Sequence, residues 1–195
     1  MITKDRNYHN FEVRASNEAN IIEGYAVVFD SIETMYEYEG TAYKEEIRTG
    51  AFNGATMDDV VLNFNHGGKP VARTKNGTLE LKIDNVGLFI RADLSGTEEG
   101  RKLYEEVKGG YLDKMSFAFT IKVGGEEYNK TTRTRSITKV KRLYDCAVVD
   151  FPAYESTSVQ ARSFFEVEAE KERMELRNEL ELAKAKYFYG GTNGN

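Results

Sequence analysis

The chain has 195 residues, 40% of them hydrophobic, which is enough for one domain with a real core plus a tail. Its formal charge of −5 argues against a nucleic-acid surface, and no run approaches the roughly 18 apolar residues of a membrane span. A single cysteine, Cys146, excludes an internal disulfide, and the opening Met1-Ile-Thr-Lys-Asp-Arg6 lacks the apolar centre of a signal peptide, so a soluble cytoplasmic protein is expected.

In chain order, Ile21–Phe29 reads as a buried strand, with Gly24 as a candidate bulge. Asp30–Tyr43 is polar and tyrosine-rich and reads as a loop. Glu45–Arg48 reads as a short strand, and Gly50–Met57 as a short helix or turn. Val60–Phe64 is a strand with His66 just past its end, where Gly67-Gly68 permits a sharp departure. Leu79–Asp84 alternates, turns at Asn85-Val86-Gly87 and returns as Leu88–Leu94, which is a hairpin signature. Ser95-Gly-Thr-Glu98 matches a capping box, and a helix through about Lys108 should follow, with Leu103 and Val107 inward and Gly109-Gly110 closing it.

Lys114–Lys122 reads as the next strand. Met115, Phe117, Phe119, Ile121 and Val123 fall on one face, and Ser116, Ala118 and Thr120 on the other. Gly124–Thr134 reads as a polar turn region, and Arg135–Asp150 as strand-rich. From Phe165 to Lys186 the chain is dense in Glu, Lys, Arg, Leu and Ala. It predicts a helix with the thin stripe Leu176, Leu180, Ala183 and Tyr187, ended by Gly190-Gly191. Many strands and few helices point to a mainly β fold, a closed or nearly closed barrel with flanking helices. The division expected is a barrel domain over 1–163 and a charged helix and tail over 164–195.

Three residues stand where chemistry could happen. Ser116 puts a hydroxyl on a strand whose other face is anchored, as a nucleophile requires, although a serine on a polar strand face is commonly just that. His66 sits at a strand end, rigid behind and open in front, a good perch for a general base; a surface histidine in a glycine turn reads the same way. Asp145, within Leu143-Tyr-Asp-Cys-Ala-Val-Val149, needs a partner if it is buried, and an imidazole or a lysine would serve. Cys146 is the rival nucleophile, and an apolar run favours packing over reactivity for it. His9 lies near the chain end. Two distant histidines and no Cys/His cluster fall short of a metal ligand set, and no cofactor is expected.

Taken together, the segments resemble the prohead maturation proteases of tailed bacteriophages, relatives of the herpesvirus assemblins. They run in order from Ile22-Glu-Gly-Tyr-Ala-Val-Val-Phe29 through Glu46-Ile-Arg-Thr-Gly-Ala-Phe52, Leu62-Asn-Phe-Asn-His66 and Pro70-Val-Ala-Arg73. Leu88-Phe-Ile-Arg-Ala92, Met115-Ser-Phe-Ala-Phe119, Leu143–Val149 and Pro152-Ala-Tyr154 complete the series. The resemblance implies a serine endopeptidase with His66 as base, Ser116 as nucleophile and Asp145 as third member, with Asp150 as fallback. It places an oxyanion hole at the backbone of Ala153 and Tyr154.

The implied substrates are the scaffold protein, or the scaffolding segment of the major capsid protein, inside an assembling prohead in the host cytoplasm, with self-cleavage as well. Control through a homodimer or higher oligomer is implied too, with no nucleic-acid or membrane partner. Two rival readings are a non-catalytic capsid-assembly scaffold of the same fold and a cysteine hydrolase using Cys146.

Overall fold

The computed structural model describes residues 10–150 and 159–189. Among these residues twelve strands occur. They are β1 (Asn10–Ala15), β2 (Ile21–Val28), β3 (Glu33–Tyr38), β4 (Thr41–Ile47), β5 (Val61–Phe64) and β6 (Gly67–Arg73), followed by β7 (Leu79–Ile83), β8 (Gly87–Asp93), β9 (Lys114–Ile121), β10 (Glu126–Asn129), β11 (Thr134–Ile137) and β12 (Val140–Val149). Helix α1 (Glu98–Lys108) precedes β9, and α2 (Val159–Tyr189) follows β12.

Eight strands form one sheet in the order β6-β5-β12-β9-β1-β2-β8-β7. Its edge strands β6 and β7 are consecutive in the chain, joined through a 3-10 turn at Thr74–Asn76, and the sheet curls into a nearly closed barrel. The interior follows from alternation. In β8, Leu88, Ile90 and Ala92 are sealed while Phe89, Arg91 and Asp93 keep partial exposure. Ile22, Leu62, Met115, Phe117, Phe119 and Val148 join them in one core. Each such side chain contributes about 1.5–3 kcal/mol by leaving water.

Gly24 lies opposite Val13 where β2 approaches β1 closely: a Cβ there would sit 2.3 Å from the Glu12 carbonyl oxygen. The irregularity expected at Gly24 lies one step on, between Tyr25 and Val27. Thr97, two residues beyond the expected Ser95, caps α1 by accepting from the Gly100 N–H, and Leu103 and Val107 are buried as expected. Val123 does not share the core face of β9: the strand ends at Ile121 and Val123 is fully exposed.

Two segments read as loops are sheet. Asp30–Tyr43 contains β3 and the start of β4, a hairpin turning at Glu39-Gly40, where both φ values are positive. Gly124–Thr134 contains β10 and the start of β11. These strands make a second sheet, β10-β11-β4-β3. Only Met35 of β3 is fully covered, so the apolar alternation that marks a strand is diluted by tyrosine and glutamate. Gly50–Met57 forms turns rather than a helix.

Helix α2 begins before Phe165, at Val159, and docks its first half on this sheet. Phe165 is buried against Met35 and Tyr43, with Phe164, Tyr36 and Tyr128 around them. Glu172 takes Arg133 at 3.0 Å and Glu175 takes Lys130 at 2.8 Å. Beneath the helix, the Arg135 guanidinium lies 4.5 Å from the Phe164 ring centre and pairs with the sealed Glu45 at 2.8 Å. The expected stripe of Leu176, Leu180, Ala183 and Tyr187 is exposed along its whole length, and the docking residues Phe165, Glu172 and Glu175 all come before it. Gly190-Gly191, expected to end the helix, lies outside the described residues.

Candidate active site

The site is built on the outer face of β5, β12 and β9, three adjoining strands of the barrel sheet. Register fixes which side chains share that face. Ser116 pairs with Ala147, and Ala147 pairs with Asn63. Asp145 pairs with Ala118 on one side and Val61 on the other. Directly opposed residues point the same way, so Ser116, Ala118, Asp145, Ala147 and Asn63 stand together. Met115, Phe117, Cys146 and Leu62 point into the core.

Asp145 reaches this face through a β-bulge. Leu143 opposes Phe119 and Asp145 opposes Ala118, so β12 advances two residues while β9 advances one. Simple alternation would put Asp145 beside Leu143 in the core. The extra residue, Tyr144, turns the carboxylate outward, a common use of a bulge.

His66 arrives by a tight turn. Phe64 pairs with Gly67, so Asn65 and His66 are the two loop residues of the β5–β6 hairpin, with φ of 49° and 53°. Two positive φ values define a type I′ turn, whose second place usually goes to glycine. A histidine there bears backbone strain of the kind that gathers at functional sites. The departure expected at Gly67-Gly68 therefore occurs one step earlier, on the histidine itself. The turn is fastened to the end of β12: the Asn65 N–H donates to the Val148 carbonyl at 2.9 Å, and Asn65 Oδ1 accepts from the Asp150 N–H at 3.2 Å.

So held, His66 Nδ1 lies 2.6 Å from Asp145 Oδ1. The carboxylate is 3% exposed and the imidazole 15%, so the contact is shielded from water. A carboxylate can only accept, which sets the proton on Nδ1 and leaves the Nε2 lone pair as the basic position. Ser116 is 2% exposed on the neighbouring strand of the same face. Its hydroxyl makes no hydrogen bond to the ring among the described residues, and such contacts commonly tighten only once substrate binds.

The rival nucleophile fails on environment. Cys146 is fully buried on the core side; burial, reinforced by the nearby Asp145 charge, pushes its thiol pKa far up and holds it protonated. Asp150 engages the Asn65 side chain through its backbone N–H. Ala153, Tyr154 and His9 lie outside the described residues.

Sequence reading passed over Asn63 and Asn65. For Asn65 the signal was the Asn-His pair between two apolar runs, a place where turn chemistry is expected. For Asn63 it was an amide inside an otherwise apolar strand.

A family model described as caudovirus prohead serine protease matches residues 9–172. The chain belongs to the caudovirus prohead serine protease family. The match spans the whole barrel and runs to Glu172, where α2 is pinned by Arg133. No curated protein and no solved structure matches the chain. Membership in the prohead serine proteases implies a peptidase working inside an assembling phage capsid, on capsid or scaffold protein.

Proposed function

We propose that this chain is an active serine endopeptidase that cleaves the scaffold protein, or the scaffolding segment of the major capsid protein, during prohead maturation, and that it also cuts itself. One observation carries the reading: an imidazole bound to a shielded aspartate at 2.6 Å, on the same strand face as a buried serine. In this reading Ser116 Oγ attacks the scissile carbonyl while His66 Nε2 takes its proton. Asp145 holds the ring in the required tautomer and stabilises the imidazolium. The imidazolium returns the proton to the leaving amine. Water, activated by the same nitrogen, then resolves the acyl-enzyme and regenerates the hydroxyl.

The oxyanion needs preorganised donors, and we assign them to the backbone N–H groups of Ala153 and Tyr154, a few residues beyond β12. We divide the chain into a protease domain over 1–163 and a helix and tail over 164–195. Activity is held back by dilution until the shell concentrates the enzyme into a homodimer or higher oligomer.

The test is co-expression with the phage's capsid and scaffold proteins, followed by mass spectrometry of the new chain ends. Defined cleavage that disappears with Ser116→Ala supports the reading. Intact partners, together with a chain that still enters the shell, would instead indicate a non-catalytic assembly protein.

A further inference from the structure

Asn63 has no part in the proton relay, yet it is the most conspicuous polar group on the face that carries it. It is 7% exposed, and its side-chain Oδ1 is buried with no hydrogen-bond partner among the described residues. An uncompensated buried amide oxygen is costly, and folded proteins rarely retain one without use. Its register is equally specific. Asn63 lies level with Ser116, separated from it only by Ala147. The intervening methyl leaves the floor between the two polar groups low. Two strand spacings make the separation roughly 10 Å, the reach of about three extended residues.

We infer that the Asn63 side-chain amide binds the main chain of the substrate peptide, within about three residues of the bond that Ser116 attacks. A carboxamide offers one acceptor and a pair of donors, which matches the N–H and C=O that an extended peptide presents. The substrate N–H completes the Oδ1 that the fold leaves unsatisfied. Asn63 is thus a substrate-binding residue, recognising backbone rather than any particular side chain. This inference rests on the peptidase reading above.

The experiment uses the full chain, with Asn63→Leu and Asn63→Ala beside the parent. Three readouts are taken: kcat/KM on a peptide spanning the cleavage site mapped by co-expression, the rate at which diisopropyl fluorophosphate labels Ser116, and the melting temperature. The fluorophosphate has no peptide main chain and reads the serine–histidine chemistry alone. The expected result is a tenfold or greater loss of kcat/KM, with labelling within about twofold of parent.

The near-isosteric Asn63→Leu should also melt at or above the parent temperature, because an unsatisfied amide has been replaced by an apolar group. Unchanged peptide hydrolysis would overturn the contact. So would labelling that falls in step with hydrolysis, which would mean that Asn63 acts on the triad, or a lowered melting temperature in Asn63→Leu, which would mean a structural role. A parent that neither labels nor cleaves would remove the peptidase reading itself, and this contact with it.

Discussion

Replacing Asp145 with asparagine isolates what the aspartate does for His66. The side chains have nearly the same shape, and the bulge that aims position 145 outward is a backbone feature, so the geometry should survive. The charge does not. Asp145 is 3% exposed and its oxygen lies 2.6 Å from the ring nitrogen, so the centres of the carboxylate and of an imidazolium are about 4 Å apart.

At an effective dielectric constant of about 20, that separation corresponds to roughly 4 kcal/mol of attraction, felt only once the imidazolium forms. Lost from the transition state, this amounts to about three decades in rate. The asparagine N–H₂ can also donate to Nδ1, which moves the ring proton to Nε2, where it opposes deprotonation of Ser116. Turnover should therefore slow by about a thousandfold or slightly more, a smaller loss than in Ser116→Ala, with melting temperature little changed. The assay is hydrolysis of a peptide from a mapped site, with thermal melting on the same samples. A loss under tenfold in a well-folded variant would refute the electrostatic role.

Three further outcomes concern the stability of the fold. Asp84 closes the β7–β8 hairpin by accepting from the N–H groups of Val86 at 2.8 Å and Gly87 at 3.0 Å, and from the Tyr25 hydroxyl at 3.0 Å. The Gly87 and Val86 bonds lower its pKa below the ordinary 3.8, so its stabilisation is present above that value and is lost as pH falls through the lowered one. Asp84→Ala should therefore melt below the parent at pH 7, with the gap closing on acidification below the ordinary 3.8; a gap independent of pH would contradict the assignment. A chain ending at Ser163 should fold and keep peptidase activity but melt lower, because Phe165 no longer covers Met35 and Tyr43. A chain ending at Glu179 keeps the contacts of Phe165, Glu172 and Glu175 and should match the full length. An unfolded Ser163-ending chain would show that the helix belongs to the body of the protein.

Most strands of the barrel were legible because one of their faces is sealed: β2, β5, β8, β9 and β12 all carry apolar residues where the core demands them, whereas β1 and β6 were not read as strands. The second sheet was legible only in part: Glu45–Arg48 and Arg135–Asp150 read as strand and hold the end of β4 and most of β11, but β3 and β10 have few covered residues and carry little pattern. At the candidate site, Ser116 lies within a strand and His66 just past a strand's end, as read from the sequence.

What periodicity could not supply was the meeting of His66 with Asp145. The bulge at Tyr144 reverses the face of Asp145, and the Asn65-His66 turn uses a backbone conformation for which histidine gives no sequence signal. Both are local departures from regularity, and both lie at the candidate site. Asn63 was unreadable for the same reason: one asparagine in a strand acquires meaning only when register sets it level with Ser116.

In the proposed mechanism Ser116 is a nucleophile activated by His66. The most direct test is fluorophosphonate labelling of the purified full chain, with the modified residue located by tryptic mass spectrometry and the rate compared in His66→Ala. One adduct is expected, on the Ser116 peptide, formed at least a hundredfold more slowly without His66. No adduct, an adduct on another residue, or labelling of Ser116 at the same rate without the histidine would contradict that mechanism.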